Sequence, residues 1–139
     1  MSGITVVGLG PGDSRHVTRE AWDVLVAADE VWLRTNQHPT VRDLPERLVQ
    51  HSFDYLYQQA AEFGNVYESI ADEVLALGRR PEGVIYAVPG HPLVGEATVQ
   101  RLLGLVQDQN IRIRIVEGLS FIAPILTALG VDALEIAGC

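Results

Sequence analysis

At 139 residues, with 47% hydrophobic and 20% charged side chains, the chain has the make-up of one globular domain that buries about two-thirds of its unfolded surface, not of a disordered or fibrous protein. Its 18 acidic against 10 basic side chains leave a formal charge of −8, which repels a phosphate backbone and argues against nucleic acid as a partner. The single cysteine, Cys139, has no internal partner, so no disulfide framework is expected and the cytoplasm is the expected compartment.

Residues 4–7 are apolar and β-branched and predict a strand, with no basic-then-apolar leader before them. A glycine turn follows, then Thr18 as a helix N-cap and a helix whose apolar face is Ala21, Val24, Leu25 and Ala28. Residues 31–33 read as a second strand. Residues 43–50 carry a short helical pattern, and residues 52–58 read as a strand or a loop because Tyr55 and Tyr57 alternate with smaller or polar neighbours. A helix bearing Val66, Ile70, Val74 and Leu77 leads to a strand over residues 84–88. The next helix presents Val99, Leu102, Leu103 and Val106, and residues 111–116 supply a last strand. The longest uncharged stretch, residues 119–131, is too short to span a bilayer and contains Pro124; it reads as a buried helix with Ile122, Ile125, Leu126 and Leu129 on one face. No membrane association is expected. Alternating strands and helices predict right-handed crossovers and a parallel sheet covered on both faces, an α/β fold forming one unit over residues 1–139.

Ligands of such sheets bind at the carboxyl ends of the strands, so the loops there are the candidates for chemistry. The first, VVGLGPGD, places Gly8, Gly10 and Gly12 around Pro11. A dinucleotide fingerprint requires its third glycine one place later, where Asp13 stands, and an acidic residue after the second strand, where Arg34, Thr35 and Asn36 stand. The spacing rules against NAD or FAD, and the absence of a glycine-lysine pair before serine or threonine excludes a P-loop. In YAVPGHP, Pro89 and Pro92 remove amide donors and fix the backbone around Gly90 and His91, giving either a rigid binding turn or only a stiff connection. In EGLSF, Gly118 permits a turn and Ser120 caps the final helix while remaining able to offer its amide or hydroxyl to a ligand. Arg34 and His38 lie where an anionic substrate would meet them, but they read first as a solvated loop. The four histidines show no metal-ligand spacing, and no metal is expected.

These three loops, in this order and spacing, resemble the tetrapyrrole (corrin/porphyrin) methylases. With LRTNQHP after the second strand and FDYLY beyond it, the chain is most similar to the N-terminal methylase-like domain of MazG-type nucleotide pyrophosphohydrolase fusions. The resemblance covers the whole chain. It implies a three-layer fold around a five-stranded parallel sheet of order 3-2-4-1-5, which sets the Gly8–Gly12 loop beside the Pro89–Pro92 loop. It implies S-adenosylmethionine as cofactor and a small-molecule methyl acceptor, a tetrapyrrole by the family name, in a cytoplasmic homodimer with a fused or partner MazG-type pyrophosphohydrolase. Its cofactor contacts fall on Pro11, His91, Val94, Ser120 and Phe121, with Gly90, Leu93 and Leu119 as neighbours. It assigns no catalytic residue. Where many members carry aspartate in the Gly-Asp-Pro turn, this chain has His91, and the second methylase domain is expected to lie outside residues 1–139. The isolated chain is then expected to be inactive. The alternative is a methylase fold serving as a non-catalytic docking or regulatory module.

Overall fold

The computed structural model describes residues 2–59 and 63–138. Five strands, β1 (Ile4–Gly8), β2 (Glu30–Leu33), β3 (Val49–Ser52), β4 (Val84–Val88) and β5 (Ile113–Val116), form one sheet in the order β3-β2-β4-β1-β5. Every pairing is parallel. The predicted three-layer α/β fold and its strand order are therefore those observed.

Successive side chains on a strand face opposite ways, so each inner strand feeds two cores. Val6 and Tyr86 point into one layer with Phe53, Ile70, Val74, Val99 and Leu102. Val7 and Ala87 point into the other with Leu25, Val31 and Leu33. The first layer is covered by α3 (Phe63–Gly78) and α4 (Ala97–Gln109), the second by α1 (Arg19–Ala27). Helix α1 begins as the sequence predicts, with the Thr18 hydroxyl accepting from Ala21 N. Because α1 leaves β1 toward one face and α4 leaves β4 toward the other, the carboxyl ends of β1 and β4 part company. That divergence is the topological switch point where open parallel sheets accept ligands.

Three local readings are corrected. Residues 43–50 form no α-helix; Pro39–Asp43 make a 3-10 turn and Val49 opens β3. Strand β3 is an edge strand paired only with β2, and its Val49 is exposed, so it carries no apolar run to announce it. The stretch read as strand or loop is α2 (Asp54–Gln59), begun by Ser52, whose hydroxyl accepts from Asp54 N. Residues 119–131 do not make a buried helix either. Helix α5 (Ile122–Leu129) and the short α6 (Ala133–Ile136) leave Ile122, Ile125, Leu129, Leu134 and Ile136 exposed. No described helix is long and apolar enough to cross a membrane.

Candidate functional site

The three glycine loops meet backbone to backbone. Gly10 and Gly90 exchange hydrogen bonds, Gly90 N to Gly10 O at 2.8 Å and Gly10 N to Gly90 O at 3.2 Å, an isolated antiparallel bridge just beyond the parallel ladder. Both take positive φ, 77° and 65°, which glycine adopts without strain. The third loop closes on them at Gly118. A Cβ on Gly8 would sit 2.5 Å from the Gly90 carbonyl oxygen and 2.7 Å from Gly118 Cα, and one on Gly118 would drive into that same carbonyl. Neither position has room for a side chain. The Thr18 hydroxyl, besides capping α1, donates to Glu117 O at 3.1 Å and ties the third loop to the first helix.

Loop residues 10–12 are held from outside by His38. Its Nδ1 accepts from Thr40 N at 3.2 Å, which leaves Nε2–H to donate to Gly10 O at 2.8 Å and fixes a neutral tautomer. Burial lowers its pKa, assisted by the nearby Arg34 charge and opposed by the bond to Gly10. His38 is only 8% exposed, so it is a clamp on the first loop and not part of a solvated one. In the middle loop, His91 Nδ1 accepts from Leu93 N at 3.0 Å, and in the third Ser120 Oγ accepts from Ile122 N at 3.3 Å.

A cavity of about 180 Å³ lies at this junction, lined by Pro11, His38, Gly90, His91, Val94 and Phe121 among others. It gathers five of the eight expected cofactor neighbours. Ser120 stands at its edge, within 4.0 Å of a Cβ built on Gly90, while Leu93 is exposed and Leu119 faces a separate hollow beside His16 and Pro124. A pocket for a molecule of cofactor size encloses about 300–1,000 Å³, so these loops make one wall of a site. A larger hollow of about 620 Å³ lies at the opposite, amino-terminal ends of β1, β4 and β5. It is far from the switch point, and the loops that converge there make the smaller cavity the better candidate.

No sequence pattern marks the polar chain behind this cavity. Glu96, 6% exposed, precedes α4; its Oε1 accepts from Thr98 Oγ1 at 2.7 Å, and Thr98 Oγ1 lies 2.7 Å from the Tyr86 hydroxyl. Its Oε2 lies 3.2 Å from Arg34 Nε, an ion pair whose N–H is not aimed at the carboxylate and so makes no directed hydrogen bond. The carboxylate also sits at the amino end of α4, where the helix dipole favours negative charge. A glutamate after a glycine turn is ordinarily solvent-facing, and only the folded chain brings Arg34 against it.

The pattern for the Tetrapyrrole (Corrin/Porphyrin) Methylases matches residues 3–135. This chain belongs to that family. It is 39% identical over 133 residues to the uncharacterized protein YabN of Bacillus subtilis (strain 168), covering 95% of this chain and 27% of YabN. Its fold is also that of a uroporphyrin-III C-methyltransferase from Thermus thermophilus, with a TM-score of 0.66 at 24% identity over 95% of this chain and 55% of that one. A structure of uroporphyrin-III C-methyltransferase from the same organism complexed with S-adenosylhomocysteine superimposes with a TM-score of 0.58 at 18% identity, covering 94% and 52%. The methylase-family chain thus spans about a quarter of the length of YabN and about half that of these solved chains.

Proposed function

We propose that this chain supplies one wall of an S-adenosylmethionine site and acts as the N-terminal half of a methyltransferase on a small-molecule acceptor. The observation that carries the reading is the locking of the three loops through Gly8, Gly90 and Gly118 at the switch point of a tetrapyrrole methylase fold. Backbone packed that closely leaves a smooth, side-chain-free floor, which suits a bulky ligand laid across it. Pro11, His91, Val94 and Phe121 would hold the cofactor, and Gly90 lets it approach the main chain. When bound, it supplies a methyl group to an acceptor lone pair, the carbon–sulfur electrons returning to sulfur and the acceptor's proton leaving to water. The residues here align the partners and exclude solvent, and displacement at a methyl carbon asks for little more. His91 stands where many members carry aspartate; its ring accepts from Leu93 N and offers a ligand only Nε2.

Isothermal titration with S-adenosylhomocysteine tests this directly, with saturable binding expected and His91→Asp expected to tighten it. No binding to the protein, with or without that substitution, would favour the second reading, a non-catalytic methylase-fold module docked to a MazG-type pyrophosphohydrolase. The substitution at His91 is what gives that alternative its weight.

A further inference from the structure

A second chamber, about 280 Å³, opens on the other side of Arg34 and is lined by Arg34, Thr35, Gln37, Asp54, Tyr57 and Tyr67. Among the described residues, Arg34 is the one that lines both this chamber and the glycine-loop cavity. A ligand in either space therefore meets the other at a single guanidinium. We propose that this chamber is the methyl-acceptor pocket and that it takes a neutral, planar group bearing a carbonyl, an amide or lactam. The word acceptor rests on the methyltransferase reading; the ligand class does not.

The class follows from which polar atoms are already committed. Asp54 Oδ1 accepts from the Thr35 hydroxyl at 2.6 Å, and Oδ2 accepts from Asn36 N at 2.8 Å and the Ser52 hydroxyl at 2.9 Å. Glu96 has one oxygen on Thr98 and the other against Arg34. The carboxylates therefore have little left to offer a ligand. Donors are in surplus. The Tyr67 hydroxyl makes no hydrogen bond among the described residues, and the Tyr57 hydroxyl has beside it the Arg34 guanidinium, itself a donor. Burial pushes the Tyr57 pKa up, so its O–H stays protonated and able to donate. Such a set calls for an oxygen acceptor on the ligand.

Charge decides between a carbonyl and a carboxylate. Arg34 is already matched by Glu96, and Asp54 adds a second negative charge, so a ligand carboxylate would enter a site with a net negative balance. Repulsion from that balance, added to the cost of desolvating the ion, outweighs the extra strength of a charged hydrogen bond. A neutral carbonyl collects the same donors without that cost. Two tyrosine rings in the lining add flat apolar surface for a planar group.

The four tyrosines, at 55, 57, 67 and 86, make the test internal. Protein labelled with ¹³C in the tyrosine rings is titrated with benzamide and, separately, with its charged isostere benzoate. Benzamide is expected to move the Tyr57 and Tyr67 signals saturably while Tyr55 and Tyr86 stay still, and benzoate to bind about tenfold more weakly or worse. Tyr67→Phe is expected to weaken benzamide about fivefold, the loss of one donor. Benzoate binding as tightly as benzamide, or no benzamide response at Tyr57 and Tyr67, overturns the proposal. S-adenosylhomocysteine binding on the same sample separates the two readings. If it binds and benzamide does not, only the acceptor pocket falls; if benzamide binds and it does not, the pocket stands and the methyl-transfer reading falls.

Discussion

Glycine and histidine set the site at the scale of single residues. Gly118→Ala would force its Cβ into the Gly90 carbonyl, and because all three loops are locked there, no neighbour can yield alone. A loss of about 1–3 kcal/mol in urea unfolding is expected, together with a drop in S-adenosylhomocysteine affinity larger than the stability loss explains. Gly95→Ala makes a useful contrast: its φ of 64° is also positive but nothing lies near its Cβ, so strain without collision should cost less. For His38 the sign of the pH dependence follows from its lowered pKa. The unfolded chain takes up a proton near the ordinary value of 6.5 while the folded chain still resists, so stability is full above that value and falls as the pH drops toward the folded pKa. Unfolding measured between pH 7 and 5 should show His38→Gln with a flatter acid limb than the parent, and equal limbs would remove His38 from the account. Nothing in the string Gln37-His38-Pro39 foretold this role, because the partner, Gly10, is brought in by the sheet and not by local pattern.

Among the elements, the chain from Arg34 at the end of β2 through Glu96 to Tyr86 on β4 makes two strands and a helix share one polar network. Glu96→Ala would leave the largely buried Arg34 guanidinium with only Asp54 to offset its charge, and a loss of about 1–3 kcal/mol is expected. The double substitution Arg34→Leu with Glu96→Leu should cost less than that single change, a result that a double-mutant cycle by thermal unfolding reads directly. Strands β1 and β4 were legible because β-branched runs buried on both faces have few alternatives, and β5 because its isoleucines alternate with arginine. Strand β3 was not, since none of Val-Gln-His-Ser is fully buried and its register comes from β2. Residues 53–57 misled in the opposite direction. Their aromatics, within residues 52–58, read as a strand or a loop, but Phe53 alone is buried among these five while Ser52 and Asp54 set up a helical start. Helix α5 shows a further limit: apolar periodicity says that a face avoids water, not which surface covers it. Of the site, the three glycine loops could be read from spacing, whereas Glu96, Tyr57 and Tyr67 are residue types that mark nothing until the fold assembles them.

For the molecule as a whole, the apolar face of α5 and α6 is the largest departure from an ordinary water-facing surface. Phe121, Ile122, Ile125, Leu129, Leu134 and Ile136 are all between 45% and 67% exposed, and such a patch drives association. Sedimentation velocity should find concentration-dependent self-association of this chain, and Ile125→Glu with Leu129→Glu should abolish it while leaving the circular dichroism spectrum unchanged. A monomer at all concentrations would contradict the expectation.

The place of β1 in the sheet also bears on how the protein comes into being. It precedes the other four strands of the sheet in sequence, yet its neighbours are β4 and β5, with Ile4 opposite Val84 on one side and Ile113 on the other. A chain emerging from the ribosome thus carries an apolar strand whose partners are made much later, and the loops it anchors cannot meet until β5 is out. Nascent chains arrested before β4 should be open to protease and held by chaperones, and ligand binding should appear abruptly, only once β5 and the loop through Phe121 have cleared the exit tunnel.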